Sequence, residues 1–97
     1  MTLLHGVPHR FPLGQIVITP GAAAAFNTNY QMPYTFLSRH VQGDWGDLSP
    51  AERAEMETAL EQGSRLMSVY TLGDGQKLWI ITEWDRSVTT LLLPLEY

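Results

Sequence analysis

Arg65-Leu66-Met67-Ser68-Val69-Tyr70-Thr71-Leu72, Lys77-Leu78-Trp79-Ile80-Ile81-Thr82-Glu83-Trp84 and Val88-Thr89-Thr90-Leu91-Leu92-Leu93 are three short runs rich in β-branched and aromatic residues. Gly73-Asp74-Gly75 separates the first two, Asp85-Arg86-Ser87 the last two, and Pro94 stops the third. Runs of this length joined by glycine- and aspartate-bearing turns are hairpin signals. Turns this short connect antiparallel neighbours only, so residues 65–93 are predicted to form a three-stranded antiparallel meander. The middle run is apolar throughout Leu78–Ile81, which predicts burial on both faces and places Trp79 in the core. One face would take helices. The other needs a cover, either the N-terminal arm or a second subunit.

Working back along the chain, Ser49-Pro50-Ala51-Glu52 is a helix start. Ser49 caps, Pro50 takes the first helical position, and Glu52 closes a capping box. This helix runs to about Gln62, with Gly63 as its stop. Met56, Ala59 and Leu60 form a narrow apolar stripe, while Glu57 and Glu61 face away. An earlier helix opens at Pro33. Its Phe36, Leu37, His40 and Val41 share one stripe, and Gly43 ends it. Gly43–Leu48 reads as a tight turn around one large anchor, Trp45. Thr19 and Pro20 before the Ala22–Ala25 run predict a short helix reaching about Asn27. Gln15–Ile18 is a candidate fourth strand at the sheet's edge. Residues 1–14, punctuated by Gly6, Pro8, Pro12 and Gly14, read as an irregular N-terminal arm. The organisation expected is a single α+β domain over residues 15–97, with a helical N-terminal half packed on the C-terminal meander.

Ninety-seven residues hold one domain. The absence of cysteine excludes disulfides, thiolate metal sites and a cysteine nucleophile. No apolar run reaches membrane-spanning length, and no signal peptide is recognised at the start, so the expectation is a cytoplasmic protein with no membrane partner. The net charge is −4. Lys77 and five scattered arginines make no basic stripe, which argues against direct nucleic-acid binding. The acid is concentrated instead: Asp44, Asp47, Glu52, Glu55, Glu57 and Glu61 are accompanied by Arg53 alone. Such a segment is either a solvated face or a docking surface for a protein partner with a basic surface.

The residues raise four kinds of chemistry. The histidines are His5, His9 and His40; the Gly6 and Pro8 between the first two deny their spacing a helical geometry, so no metal site is expected. His40 lies on an apolar stripe and is expected to bond a carbonyl or Asp44 or Asp47. A small hydrolase or nuclease would combine His40 with Asp44, Asp47 or the Glu83–Ser87 turn. The plainer reading is that Asp85 and Ser87 are turn residues and Arg86 pairs with Asp85, Glu83 or the 44–47 carboxylates. Gly43-Asp44-Trp45-Gly46-Asp47 carries two carboxylates and cannot cradle phosphate. Trp45, Trp79 and Trp84 lack the accompanying cations that base stacking uses. Trp45 and Trp84 are instead the interface candidates, since tryptophan is enriched at binding hot spots. No catalytic residue, cofactor or metal is assigned.

Several motifs together resemble a known family: Gln15-Ile16-Val17-Ile18-Thr19-Pro20-Gly21-Ala22, Arg39-His40 with Gly43–Leu48, Gly63-Ser64-Arg65-Leu66, Ser68-Val69-Tyr70, Trp79-Ile80-Ile81-Thr82-Glu83, Asp85-Arg86-Ser87-Val88-Thr89-Thr90, Leu92-Leu93-Pro94 and Glu96-Tyr97. Over roughly residues 11–97 the chain resembles short proteobacterial proteins of plasmids and integrated mobile elements. These are commonly labelled plasmid-related proteins, and in places type I restriction subunits. A modification subunit needs a methyl-donor fold that 97 residues cannot hold. The resemblance implies a mobile-element setting and no particular chemistry. Trp84 stands where the family carries alanine. The expected function is a non-enzymatic protein-binding accessory protein, in its most concrete form a counter-defence inhibitor of a restriction or CRISPR nuclease. Its contact residues would be Asp44, Trp45, Asp47, Glu57, Glu61, Trp84, Asp85 and Arg86. The alternative is a structural or regulatory homo-oligomer, such as a homodimer joined through the meander.

Overall fold

Three strands in the C-terminal third pair as their turns dictate. The structure, a computed structural model, describes residues 6–97. Strands β2 (Leu66–Thr71), β3 (Lys77–Thr82) and β4 (Val88–Leu92) form the antiparallel meander, with Met67 opposite Ile81 and Ile81 opposite Thr90. Each strand is a residue or two shorter than its sequence run: Arg65, Leu72, Glu83, Trp84 and Leu93 fall outside. Strand β1 (Gln15–Ile18) adds to the free edge of β4, parallel to it, so the sheet is mixed with order β1-β4-β3-β2.

The helices start where their caps lie. Helix α1 (Pro20–Asn29) is capped by Thr19, whose hydroxyl accepts from Ala22 N–H at 3.2 Å. It runs two residues past the expected end and stops at Tyr30, a bulky residue with φ of 54° where glycine or asparagine is the usual choice. Helix α2 (Pro33–Val41) buries the predicted stripe of Phe36, Leu37, His40 and Val41. Helix α3 (Pro50–Gln62) carries the full capping box: Ser49 accepts from Glu52 N–H at 3.2 Å, and Glu52 accepts from Ser49 N–H at 2.9 Å.

Strand alternation gives the sheet two unlike faces. Leu66, Ser68, Tyr70, Leu78, Ile80, Thr82, Thr89 and Leu91 lie on one face, and all are buried. That face meets Ala22, Ala25 and Phe26 of α1, Phe36, Leu37 and Val41 of α2, and Ala59 of α3 in one apolar core. Phe11 and Leu13 enter the same core, so the described part of the arm is irregular but anchored. Phe11 stacks on Trp45 with 6.2 Å between centroids, and Arg10 N–H donates to Val41 C=O at 2.9 Å. The arm therefore covers the helical side and not the opposite one. The second face carries Val17, Met67, Val69, Trp79, Ile81, Thr90 and Leu92. Its cover is the C-terminal 3-10 turn (Pro94–Glu96) with Tyr97, whose ring meets Trp79 edge-on at 5.4 Å. Glu96 ties this turn down by accepting from Thr19 Oγ1, Gly21 N–H and Leu93 N–H.

Candidate functional site

His40 has no exposure and no carboxylate partner. Its Nδ1 lies 2.5 Å from Ser68 Oγ and its Nε2 lies 2.9 Å from Thr82 Oγ1. Thr82 Oγ1 in turn lies 2.8 Å from Thr89 Oγ1, and Thr89 donates to the Leu13 carbonyl at 2.7 Å. That carbonyl can only accept, which sets the direction of the chain as far as the ring's Nε2, and burial keeps the ring neutral, which leaves Nδ1 to accept. Thr89 gives its proton to Leu13, Thr82 gives its own to Thr89, His40 donates from Nε2, and Ser68 donates to Nδ1. The imidazole is thus held neutral as its Nε2–H tautomer. Burial pushes its pKa down to about 3, with the nearby Arg86 charge adding to the effect. A serine donating to an imidazole is a nucleophile–base geometry, but neither side chain is accessible to a substrate. The network spans α2, all three meander strands and the arm, and it works as a core tie. The expected partners Asp44 and Asp47 lie elsewhere.

Much of the acidic segment is bonded to the protein's own groups. Asp44 accepts from Arg39 Nε at 2.7 Å, and Arg39 holds its carboxyl below the usual range. Asp47 accepts from Thr71 Oγ1 at 2.6 Å and from Lys77 Nζ at 3.3 Å. Glu57 does not face away as expected. Both its oxygens take the Arg10 guanidinium, at 2.8 and 2.9 Å, and Oε2 also accepts from Trp45 Nε1 at 2.9 Å. Hydrogen bonds from Arg10 and then Trp45 bring its pKa down to about 2. Glu61 is exposed on α3, as is Glu55. Among the described residues, no group of three or more His, Asp and Glu side chains is placed to hold a metal ion. His5 lies outside the described residues.

Two of the three tryptophans, Trp45 and Trp79, depart from the sequence expectation. Trp45 is 3% exposed; it packs on Phe11 and, edge-on, on His40. It is an anchor of the core and not an exposed contact. Trp79, expected in the core, is half-buried on the second face. Trp84 is 67% exposed in the β3–β4 turn. In that turn Asp85 accepts from Ser87 N–H at 3.0 Å, as turn aspartates do. Arg86 pairs with no carboxylate. It donates to the carbonyls of Ser64 and Glu83, at 2.6 and 3.1 Å, and sits over the Phe11 ring. It fastens the turn to the α3–β2 junction.

The second sheet face carries apolar side chains between two pairs of charged ones. Met67, Val69 and Trp79 are its half-buried apolar part, Ile81 and Leu92 are buried on the C-terminal turn's side of the sheet, and Tyr97, 68% exposed, lies across Trp79. At one end Arg65 donates to Tyr97 Oη at 2.6 Å and reaches Glu83 at 3.4 Å. At the other end Lys77 bridges Thr71 and Asp47. Of the contact residues expected from sequence, Asp47 lies at the rim of this face, while Met67, Val69, Trp79 and Tyr97 are not among them. The signal was the odd-numbered apolar set within β2 and β3, mixed with the even-numbered set that forms the core. Compared with protein-family models, with curated proteins and with solved structures, the chain has no match.

Proposed function

We propose that this protein is a non-enzymatic binding module that docks a protein partner on the open face of its sheet. The observation that carries the reading is the exposed Tyr97 ring against half-buried Trp79, on the face that no α-helix covers, framed by Arg65–Glu83 at one end and Lys77–Asp47 at the other. Tyr97 and Trp84 are its most exposed aromatic side chains near the sheet, and both types concentrate binding energy. Glu55 and Glu61 remain outward on α3 and favour approach of a basic partner at long range. A counter-defence role, occupying a restriction or CRISPR nuclease, is the form of this proposal that the mobile-element resemblance suggests.

Affinity capture from host lysate with mass spectrometry tests it, using the parent protein, Tyr97→Ala, Trp84→Ala and Glu61→Gln. The proposal expects one protein retained by the parent and lost with Tyr97→Ala or Trp84→Ala. Glu61→Gln should weaken capture at low salt only. A protein retained equally by all four, or none retained by the parent, overturns it.

A further inference from the structure

The two edges of the sheet are unlike. At β2 the edge is occupied: Val69 N–H donates to Trp45 C=O, Asp47 N–H donates to Val69 C=O, and Met67 N–H meets Met56 Sδ. At β1 it is bare. Gln15 and Thr19 donate their N–H groups inward, to Ser87 and Leu91 of the β4 side. Alternation along a parallel ladder then turns the N–H and C=O of Ile16 and Ile18 outward. Natural edge strands are usually blunted by charge, proline or a bulge. This one has none of these, and Ile16, Val17 and Ile18 are 44%, 38% and 39% exposed. No Asp, Glu, Lys, Arg or His occurs between Phe11 and Ser38.

We propose that β1 pairs with β1 of a second copy, antiparallel about a two-fold axis, to make one sheet of twice the four strands seen in the monomer. The register follows from which groups point outward. Ile16 stands opposite Ile18 of the second copy, and Ile18 opposite Ile16, each pair exchanging N–H···O=C bonds. Val17 faces its own counterpart on the axis, as the non-hydrogen-bonded pair between them. The isoleucine pairs meet on the helical side, where β-branched cross-strand pairs are favourable, and the valines meet on the open face. Charge selects the occupant. A basic strand would find no charged side chain on β1, and the carboxylate at its end, Glu96, is already taken by Thr19, Gly21 and Leu93. A second copy carries the same net −4, but its acidic helix α3 packs at β2, the far edge, so pairing at β1 keeps the two acidic segments apart. This pairing uses the edge of the sheet, touches the docking face only at Val17, and leaves Trp79 and Tyr97 free.

Light scattering on the full chain from ~10 to ~500 μM is the test, because an edge contact of this size associates weakly. The mass should rise from 10.9 kDa toward twice that value. Val17→Lys and Val17→Glu place like charges face to face on the axis, and each should weaken association about tenfold or more. An equimolar mixture of the two should recover it, since lysine then faces glutamate. A constant monomer mass overturns the proposal. So does undiminished association of Val17→Lys, or a mixture that fails to recover. Should either variant unfold by circular dichroism, amide exchange of the unsubstituted chain decides: Ile16 and Ile18 must exchange more slowly as concentration rises, and concentration-independent exchange overturns the pairing.

Discussion

At His40 a ring with two nitrogens meets two hydroxyls, and every proton in the chain has a destination. A second proton on the ring would have to displace the Ser68 hydroxyl proton inside a dry core. The folded pKa of about 3 lies below the ordinary 6.5, so between those values the unfolded chain binds a proton that the folded chain refuses. Stability is therefore full above pH 6.5 and falls as pH drops toward 3, by up to ~1.4 kcal/mol per pH unit. Urea unfolding at pH 7, 6 and 5 should show this slope, and His40→Gln should flatten it. Glu57 is a depressed carboxylate, so its contribution is present above pH 4.5 and is lost as pH falls toward 2. Arg10 and Glu57 are each more than a third exposed, so solvent screening holds the loss in Glu57→Gln to about 1 kcal/mol at pH 7. Acid titration of that variant should show a smaller drop over the same window. The tryptophans separate stability from contact. Trp45→Ala should cost ~3–5 kcal/mol by chemical denaturation, whereas Trp84→Ala should stay within ~0.5 kcal/mol.

Elements whose signals are local were legible in the sequence. The Ser49–Glu52 box, the Thr19–Pro20 start, Gly63 as a stop and both meander turns all lie within a few residues of what they control. What sequence could not rank was burial at single aromatic positions. Trp45 sits in a glycine-rich turn that reads as surface, yet the arm folds over it through Phe11 and Arg10 and carries it inside. Trp79 sits in the most apolar strand, yet it points to the face that no helix meets. Both outcomes depend on contacts far apart in the chain. So does the role of Gly46, whose φ of 73° sets its backbone beside Val69. A Cβ there would collide with the Val69 carbonyl oxygen, whereas at Gly63 it would meet open space. Gly46→Ala should therefore cost more than ~2 kcal/mol, and Gly63→Ala only the ~1 kcal/mol of its left-handed backbone. Thermal melts of the two variants compare them directly.

Over the whole molecule the charges and the apolar exposures are segregated. Acid lies along residues 44–61, the turn before α3 and α3 itself, and is partly matched by Arg10, Arg39 and Lys77. The β1 edge is uncharged, and the open face keeps its ions at the rim. The buried histidine, the tied-down carboxylates and the core tryptophan serve the fold, so the docking proposal rests on Tyr97 and Trp79 of the open face. Photo-crosslinking in host cells tests this most directly, with a photoreactive residue placed at Tyr97 on the open face or at Glu55 on α3. The account predicts a specific protein adduct from position 97 that Trp84→Ala diminishes, and little from position 55. Adducts formed from position 55 alone would contradict it.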